Sequence, residues 1–389
     1  MNKEDWNIFQ ANRTIPEEQK YISCFAAFNH MRITRLGLMS PCCFSQDHQL
    51  WNKERGLHHY WFNGLNARYQ NAFLNEKLFL PLTNVKSIFG NCDTKQITGC
   101  SVCKERIEQH IIPPINDYDW NVEDRMKGIA SISYPKILEF EISNLCNMEC
   151  PMCFGHLSSK HAANRDKDID WGTNIFDNNE NLDHLIEELK EFIPYLEEIR
   201  FVGGEPLAHK GMFKIAKVVA DIKPELKLQV CTNGSVYNKK VERLCKENNV
   251  QFSFSVDTVI PEEYHKIRIG GKYEQTYSNI DKFRNLVGKD NININTTLMN
   301  INAENIIKVF EYSLNNSYSL FVNTYAREGR VKMDVPDSFG LDMNAPDWGL
   351  HLVPFDIKCK VIKQIKEFLK QDLTNNYITE LNKVIKLLS

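Results

Sequence analysis

Ser143-Asn144-Leu145-Cys146-Asn147-Met148-Glu149-Cys150-Pro151-Met152-Cys153 is the stretch on which the reading of this chain turns. Its three cysteines are spaced C-x3-C-x2-C on one short loop. Soft thiolates select iron–sulfur or zinc centres. A structural zinc site closes with four ligands, and no fourth Cys or His stands at finger spacing beside this run. Three thiolates suit a four-iron cluster and leave one iron without a protein ligand. That iron is useful where a small molecule must bind to metal.

The loop follows a strand pattern at 136–143, and from about Pro135 onward strand-like and helix-like runs alternate. Further strands read at 198–202, 226–232, 251–257, 291–299 and 319–325. Helical patterns lie between them at 182–193, 212–222, 239–247, 273–287 and 303–314. Six βα units predict a parallel sheet with right-handed crossovers, doubly wound or curled into a barrel. The strands alternate unusually: Glu139, Glu141 and Ser143 share one face of the first, with Leu138, Phe140 and Ile142 opposite. Ser253, Ser255 and Asp257 share a face of the fourth, and Asn291, Asn293, Asn295 and Thr297 one of the fifth. Parallel strands covered on both faces are nearly all apolar, so a polar face on three strands predicts a wet, ligand-holding lumen. Exposure of that face to solvent, or a register slip of one residue, is the competing reading.

The second strand ends in Val202-Gly203-Gly204-Glu205-Pro206, the third in Cys231-Thr232-Asn233-Gly234. Two glycines allow close backbone approach, Pro fixes a turn and Glu sets an acceptor at the C-terminal rim. Together with the cysteine loop, these motifs resemble the radical S-adenosylmethionine (SAM) enzymes over residues 136–330. The resemblance implies a six-stranded partial TIM-like (β/α)6 barrel. It implies a [4Fe–4S] cluster on Cys146, Cys150 and Cys153, with the SAM amino and carboxylate groups filling the open place. It carries SAM contacts over to Gly203, Gly204, Glu205, Pro206 and Asn233, to Ser255 and Asp257 at the ribose, and to Arg268 at the carboxylate. The family commonly has an aromatic before the third cysteine; here Met152 stands there as a cofactor contact.

The region before residue 135 holds six of the twelve cysteines in irregular, aromatic-rich runs. Cys24 and Cys42 frame a hairpin-like segment, 25–33 and 37–40, spaced C-x12-G-x4-C, and Cys100 and Cys103 form a C-x2-C pair. This resembles a SPASM/twitch auxiliary-cluster domain, usually placed after the barrel and here before it. The resemblance implies a second [4Fe–4S] cluster on Cys24, Cys42, Cys100 and Cys103, with Cys43 or Cys92 as alternates. A four-cysteine zinc knuckle is the other reading. Three domains are expected: 1–134 for the auxiliary cluster, 135–334 for the barrel, and 335–389 for a loop with two amphipathic helices at 355–370 and 377–388.

The 389 residues carry 47 Lys+Arg against 50 Asp+Glu, a net charge of −3, so nothing asks for nucleic acid or anionic lipid. No apolar run of membrane length and no signal-like start occurs, which predicts a cytoplasmic, reduced protein. Twelve cysteines there point to metal or redox chemistry rather than disulfides. Cys245, in a helical run, reads as a buried apolar residue. The resemblance implies reductive cleavage of SAM, fed by a donor such as flavodoxin or ferredoxin, and hydrogen abstraction from a substrate carbon. A ribosomally made peptide is the expected substrate, a sugar or aminocyclitol the alternative, and a non-catalytic metal protein the third reading. On the substrate side, Cys359 is a candidate hydrogen donor, and Tyr325, Glu139 and Glu141 are candidates for proton handling.

Overall fold

The computed structural model describes residues 3–13, 15, 17, 20, 24–43, 45, 48–74, 103, 107, 133–325 and 348–389. Along the chain the helices are α1 (Lys3–Ala11), α2 (Ala26–Asn29), α3 (Leu57–Phe62), α4 (Leu65–Leu74), α5 (Ser159–Asn164), α6 (Asn179–Phe192) and α7 (Lys210–Ile222). They continue with α8 (Lys239–Glu247), α9 (Pro261–Ile267), α10 (Tyr273–Val287), α11 (Ile306–Asn315), α12 (Phe355–Phe368) and α13 (Asn375–Leu388). The strands are β1 (His30–Ile33), β2 (Leu38–Ser40), β3 (Gln49–Leu50), β4 (Ile137–Glu141), β5 (Glu198–Val202), β6 (Lys227–Thr232), β7 (Asn249–Ser255), β8 (Ile292–Leu298) and β9 (Ser319–Thr324). The six strands expected from the sequence are β4 to β9, within two residues at most ends. The fold is the expected α/β class, a partial (β/α)6 TIM-like barrel with added helices. No helix among the described residues is long and apolar enough to cross a membrane.

The chain divides into two compact units, 1–141 with 174–199, and 142–173 with 200–389. This division differs from the sequence boundary near residue 134, because β4 and α6 gather with the N-terminal segment. In the first unit β1 lies parallel to β4, Arg32 opposite Glu139, and antiparallel to β2. The expected hairpin is therefore shorter than read. Residues 26–29 are helix, and only β1 and β2 form the two arms, turning at Gly37 with φ +75°. The partner on β1's other side lies about a hundred residues on, which local pattern cannot show. Arg32 reaches Glu139 at 3.1 Å and Glu141 at 2.6 Å, and Glu141 is fully buried. The carboxylates read as lumen acids on β4 thus share one arginine, the kind of partner a buried charge needs. Helix α6 starts where Asn178 Oδ1 accepts from Glu180 N and Asn181 N, and it buries Leu182, Leu185, Ile186, Leu189 and Phe192. Burying each of the larger apolar side chains is worth about 1.5–3 kcal/mol.

In the second unit β6, β7, β8 and β9 are parallel and consecutive. Their register sets Cys231, Ser253, Asn293 and Ser319 in one row, and Ser255 beside Asn295 in the next. The alternate rows are Val230, Phe252 and Ile292, then Thr232, Phe254, Ile294 and Leu320. Phe283 of α10 packs on the apolar side, its ring 4.5 Å from Phe252 and 5.2 Å from Phe254. One face is thus mostly apolar beneath α10 and the other mostly polar, with Phe321 beside Asn295 as the exception. The outer edge of β9 is closed by α13. Asn376 Oδ1 accepts from Leu320 N at 3.1 Å, and Glu380 Oε2 accepts from Val322 N at 2.8 Å. Two side chains thereby satisfy amides that an edge strand would leave open.

Candidate active site

Every residue of the proposed SAM site lies in the second unit, in the loops and turns that follow β4, β5, β6 and β7, with Ser255 closing β7 and Arg268 at the end of α9. The cysteine loop is pinned along its length. Cys146 N donates to Ser159 Oγ (3.2 Å), Ser158 Oγ donates to Met148 O (2.6 Å), and Glu149 N donates to Ile269 O (3.0 Å). Cys153 N closes a turn onto Cys150 O at 2.9 Å. Beyond the loop, Gly155 N donates to Asp166 Oδ2 (2.7 Å), which also meets His161 Nδ1 at 3.0 Å.

The Gly-Gly-Glu-Pro turn packs directly on this loop. Glu205 N donates to Leu145 O at 2.7 Å, and Gly204 N to Leu157 O at 3.1 Å. Gly204 has φ +55°, and a Cβ there would stand 2.6 Å from Leu145 O and 2.8 Å from Ser143 O. Only glycine allows this approach. Glu205, 1 % exposed, accepts from Leu207 N (3.2 Å), Thr232 Oγ1 (2.8 Å) and Asn233 N (2.7 Å). Burial pushes its carboxyl up to about 7 against those three hydrogen bonds. The motif glutamate therefore ties the second turn to the third, a structural duty that its expected contact with SAM did not foretell.

Asn233 carries the network to sulfur. Its Nδ2 lies 3.8 Å from Cys146 Sγ and 3.1 Å from Asn147 Oδ1, and Ser235 Oγ donates to the same Asn147 oxygen at 3.1 Å. Arg268 Nη1 lies 3.9 Å from Cys150 Sγ, and its Nη2 pairs with Asp257 Oδ2 at 2.6 Å. Asp257 Oδ1 accepts from Thr297 N at 2.7 Å. Arg268, expected at a SAM carboxylate, and Asp257, expected at a ribose, are thus paired with each other. Burial pushes the Cys150 thiol up to about 11, opposed by the Arg268 charge, and burial likewise raises Cys146 and Asp257. A metal that takes these thiols must displace their protons, and the cation and amide beside them favour the thiolates.

Among the described residues no three Cys, His, Asp or Glu side chains converge on one metal-ion position. A four-iron cluster asks for a different arrangement, since each thiolate binds its own iron and the sulfurs stand apart around the cube. Three thiols on one pinned loop, two of them facing N–H donors, fit that group. Ser255 is half-buried at the end of β7, and Met152 is half-buried between Cys150 and Cys153. Tyr325 N donates to Leu298 O at 3.3 Å just past β9. Cys359 is exposed on α12, about opposite the buried stripe of Val361, Ile365 and Phe368. In the first unit Cys24 and Cys103 are buried, Cys42 half-buried and Cys43 exposed; Cys92 and Cys100 lie outside the described residues. Sequence reasoning missed Asn147, Ser158, Ser159 and the His161–Asp166 pair. The signal available was Ser158 ahead of a helix, where it is the N-cap and accepts from His161 N.

Residues 140–312 match the Radical SAM superfamily model. Over 189 residues the chain is 24% identical to the GTP 3',8-cyclase of Sulfurimonas denitrificans, covering 46% of this chain and 54% of that one. Over 190 residues it is 27% identical to the AdoMet-dependent heme synthase of Methanosarcina barkeri, covering 47% and 48%. The chain thus spans about half the length of these curated relatives. Among solved structures, Streptococcus suis SuiB bound to S-adenosylmethionine aligns at TM-score 0.44 and 15% identity, over 93% of this chain and 72% of that one. Residues 140–312 thus resemble a domain found in enzymes that use SAM with a [4Fe–4S] cluster.

Proposed function

We propose that Cys146, Cys150 and Cys153 hold the [4Fe–4S] cluster, that SAM binds beside it, and that the substrate is a ribosomally synthesised peptide. The observation supporting the site is the web joining the cysteine loop, the Gly-Gly-Glu-Pro turn, the Thr-Asn-Gly turn and Arg268. When bound, the cluster and SAM would supply the one-electron chemistry for taking hydrogen from a substrate carbon. The chain's residues position and shield. Asn233 and Arg268 set N–H donors toward two sulfurs, Gly204 lets its turn close onto the cysteine loop, with Gly203 beside it as a proposed SAM contact, and Asp257 orients Arg268. The polar rows of β6 to β9 would line the substrate space. Cys24, Cys42, Cys100 and Cys103 are the proposed ligands of a second cluster, and flavodoxin or ferredoxin the proposed donor.

A second reading is a small-molecule substrate, a sugar or aminocyclitol. What supports a small molecule is that the sequence relatives carry small-molecule names, a nucleotide cyclase and a heme synthase. The test is chromatography of 5′-deoxyadenosine after reduced, iron-reconstituted protein meets SAM. Its formation is expected, and its complete absence would return the chain to a non-catalytic metal protein. Stimulation by a peptide, against stimulation by sugars or nucleotides, separates the two substrate readings.

A further inference from the structure

In the first unit a cleft of about 430 Å³ opens beside β3, the turn after it, and the start of α4. Its lining includes Arg55, Arg68, His48 and His59 and, among the described residues, no carboxylate. Arg55 and Arg68 are exposed, and neither makes an ion pair among the described residues. The cleft is built rather than incidental. Asn52 Oδ1 accepts from Glu54 N (3.0 Å) and Arg55 N (2.8 Å), forming the tight turn that presents Arg55. Gln49 Oε1 accepts from Leu65 N at 2.9 Å, tying β3 to the first turn of α4. A Cβ on Gly64 would stand 2.3 Å from that Gln49 oxygen and 3.0 Å from His59 O, so a larger residue there would push the Gln49 amide aside.

The strand bounding this cleft lies at the edge of its sheet among the described residues. Among the described residues β3 pairs only with β2, Leu50 opposite Leu38. Trp51 N donates inward to Gly37 O at 2.7 Å. Antiparallel alternation then turns the Leu50 N–H and C=O to the outer edge. The Leu50 side chain is 45% exposed. A strand edge, an exposed apolar side chain and unpaired arginines together match an extended segment that alternates acidic and apolar residues.

We propose that this cleft docks an extended acidic segment of the peptide substrate, added along the outer edge of β3, with its carboxylates on Arg55 and Arg68. The proposal rests on the peptide reading of the substrate. The test is fluorescence anisotropy of a labelled Glu-Leu repeat octapeptide with the reconstituted full chain, at low and high salt. Binding is expected, weakening with salt and falling about tenfold in the Arg55→Ser/Arg68→Ser variant. The Arg55→Lys/Arg68→Lys variant should retain most of it, and a Lys-Leu repeat should not bind. Equal binding by the serine variant, equal binding of the Lys-Leu repeat, or displacement of the peptide by inorganic phosphate alone would overturn the proposal. Substrate-free SAM cleavage, measured on the same preparations, should be unchanged by either variant. Its loss in the unaltered protein would count against the catalytic reading and leave the docking result legible.

Discussion

Cys150 sits in a loop bonded to segments far along the chain, whereas the contacts seen at Cys24 and Cys42 among the described residues are with near neighbours in sequence. Around Cys150 the supports come from Ser158 and Ser159, from Ile269 and Arg268, and from the turn at Glu205. Ala26 N meets Cys24 Sγ at 3.4 Å, Ser40 Oγ meets Cys42 O at 2.9 Å, and Ser45 N donates to Cys42 O at 3.3 Å. A site organised before its metal arrives suits chemistry that must aim a reactive group. A site held by short-range contacts takes more of its geometry from the metal itself.

The largest expected effect is at Cys150. In Cys150→Ala, 5′-deoxyadenosine should fall to background and iron should drop from about eight to about four per chain. Next comes Gly204→Ala, where a Cβ meets Leu145 O and the backbone is left-handed. A loss of about 1–3 kcal/mol in thermal unfolding is expected, with weakened SAM binding by calorimetry. Cys24→Ala should lose a similar share of iron yet keep substrate-free SAM cleavage within about threefold; equal collapse of both variants would mean that the two cysteine groups serve SAM cleavage alike. The smallest effect concerns His161, whose ring burial holds below its ordinary value of 6.5 despite Asp166 beside it. The folded form then binds fewer protons than the unfolded one, so this part of stability is present above pH 6.5 and lost as pH falls below it. Melting temperatures across that window should slope less in His161→Asn, and an unchanged slope would remove the pair from the account.

The strands β4 to β9 and their helices were legible because each signal is local: apolar period, Asn or Ser caps, and glycine turns at strand ends. The site motifs were legible for the same reason, as runs of fixed spacing. Hidden from such reading were pairings that span the chain. Residues 30–33 lie on β4 because Arg32 finds Glu139 and Glu141, over a hundred positions away. The glutamate of Gly-Gly-Glu-Pro was seen as a ligand contact, but two of its three donors, Thr232 and Asn233, come from a turn whose proximity only the fold creates. The Asp257–Arg268 pair was split between two expected ligand contacts for the same reason. Helix α9 went unread; at seven residues it is too short to declare a period.

The seal on β9 has a practical consequence. Two side chains of the last helix occupy amides that would otherwise offer a template to another chain. Trimming α13 to shorten the protein would therefore expose a sticky ribbon, and the truncated product should precipitate or pair edge to edge even with its catalytic loop untouched.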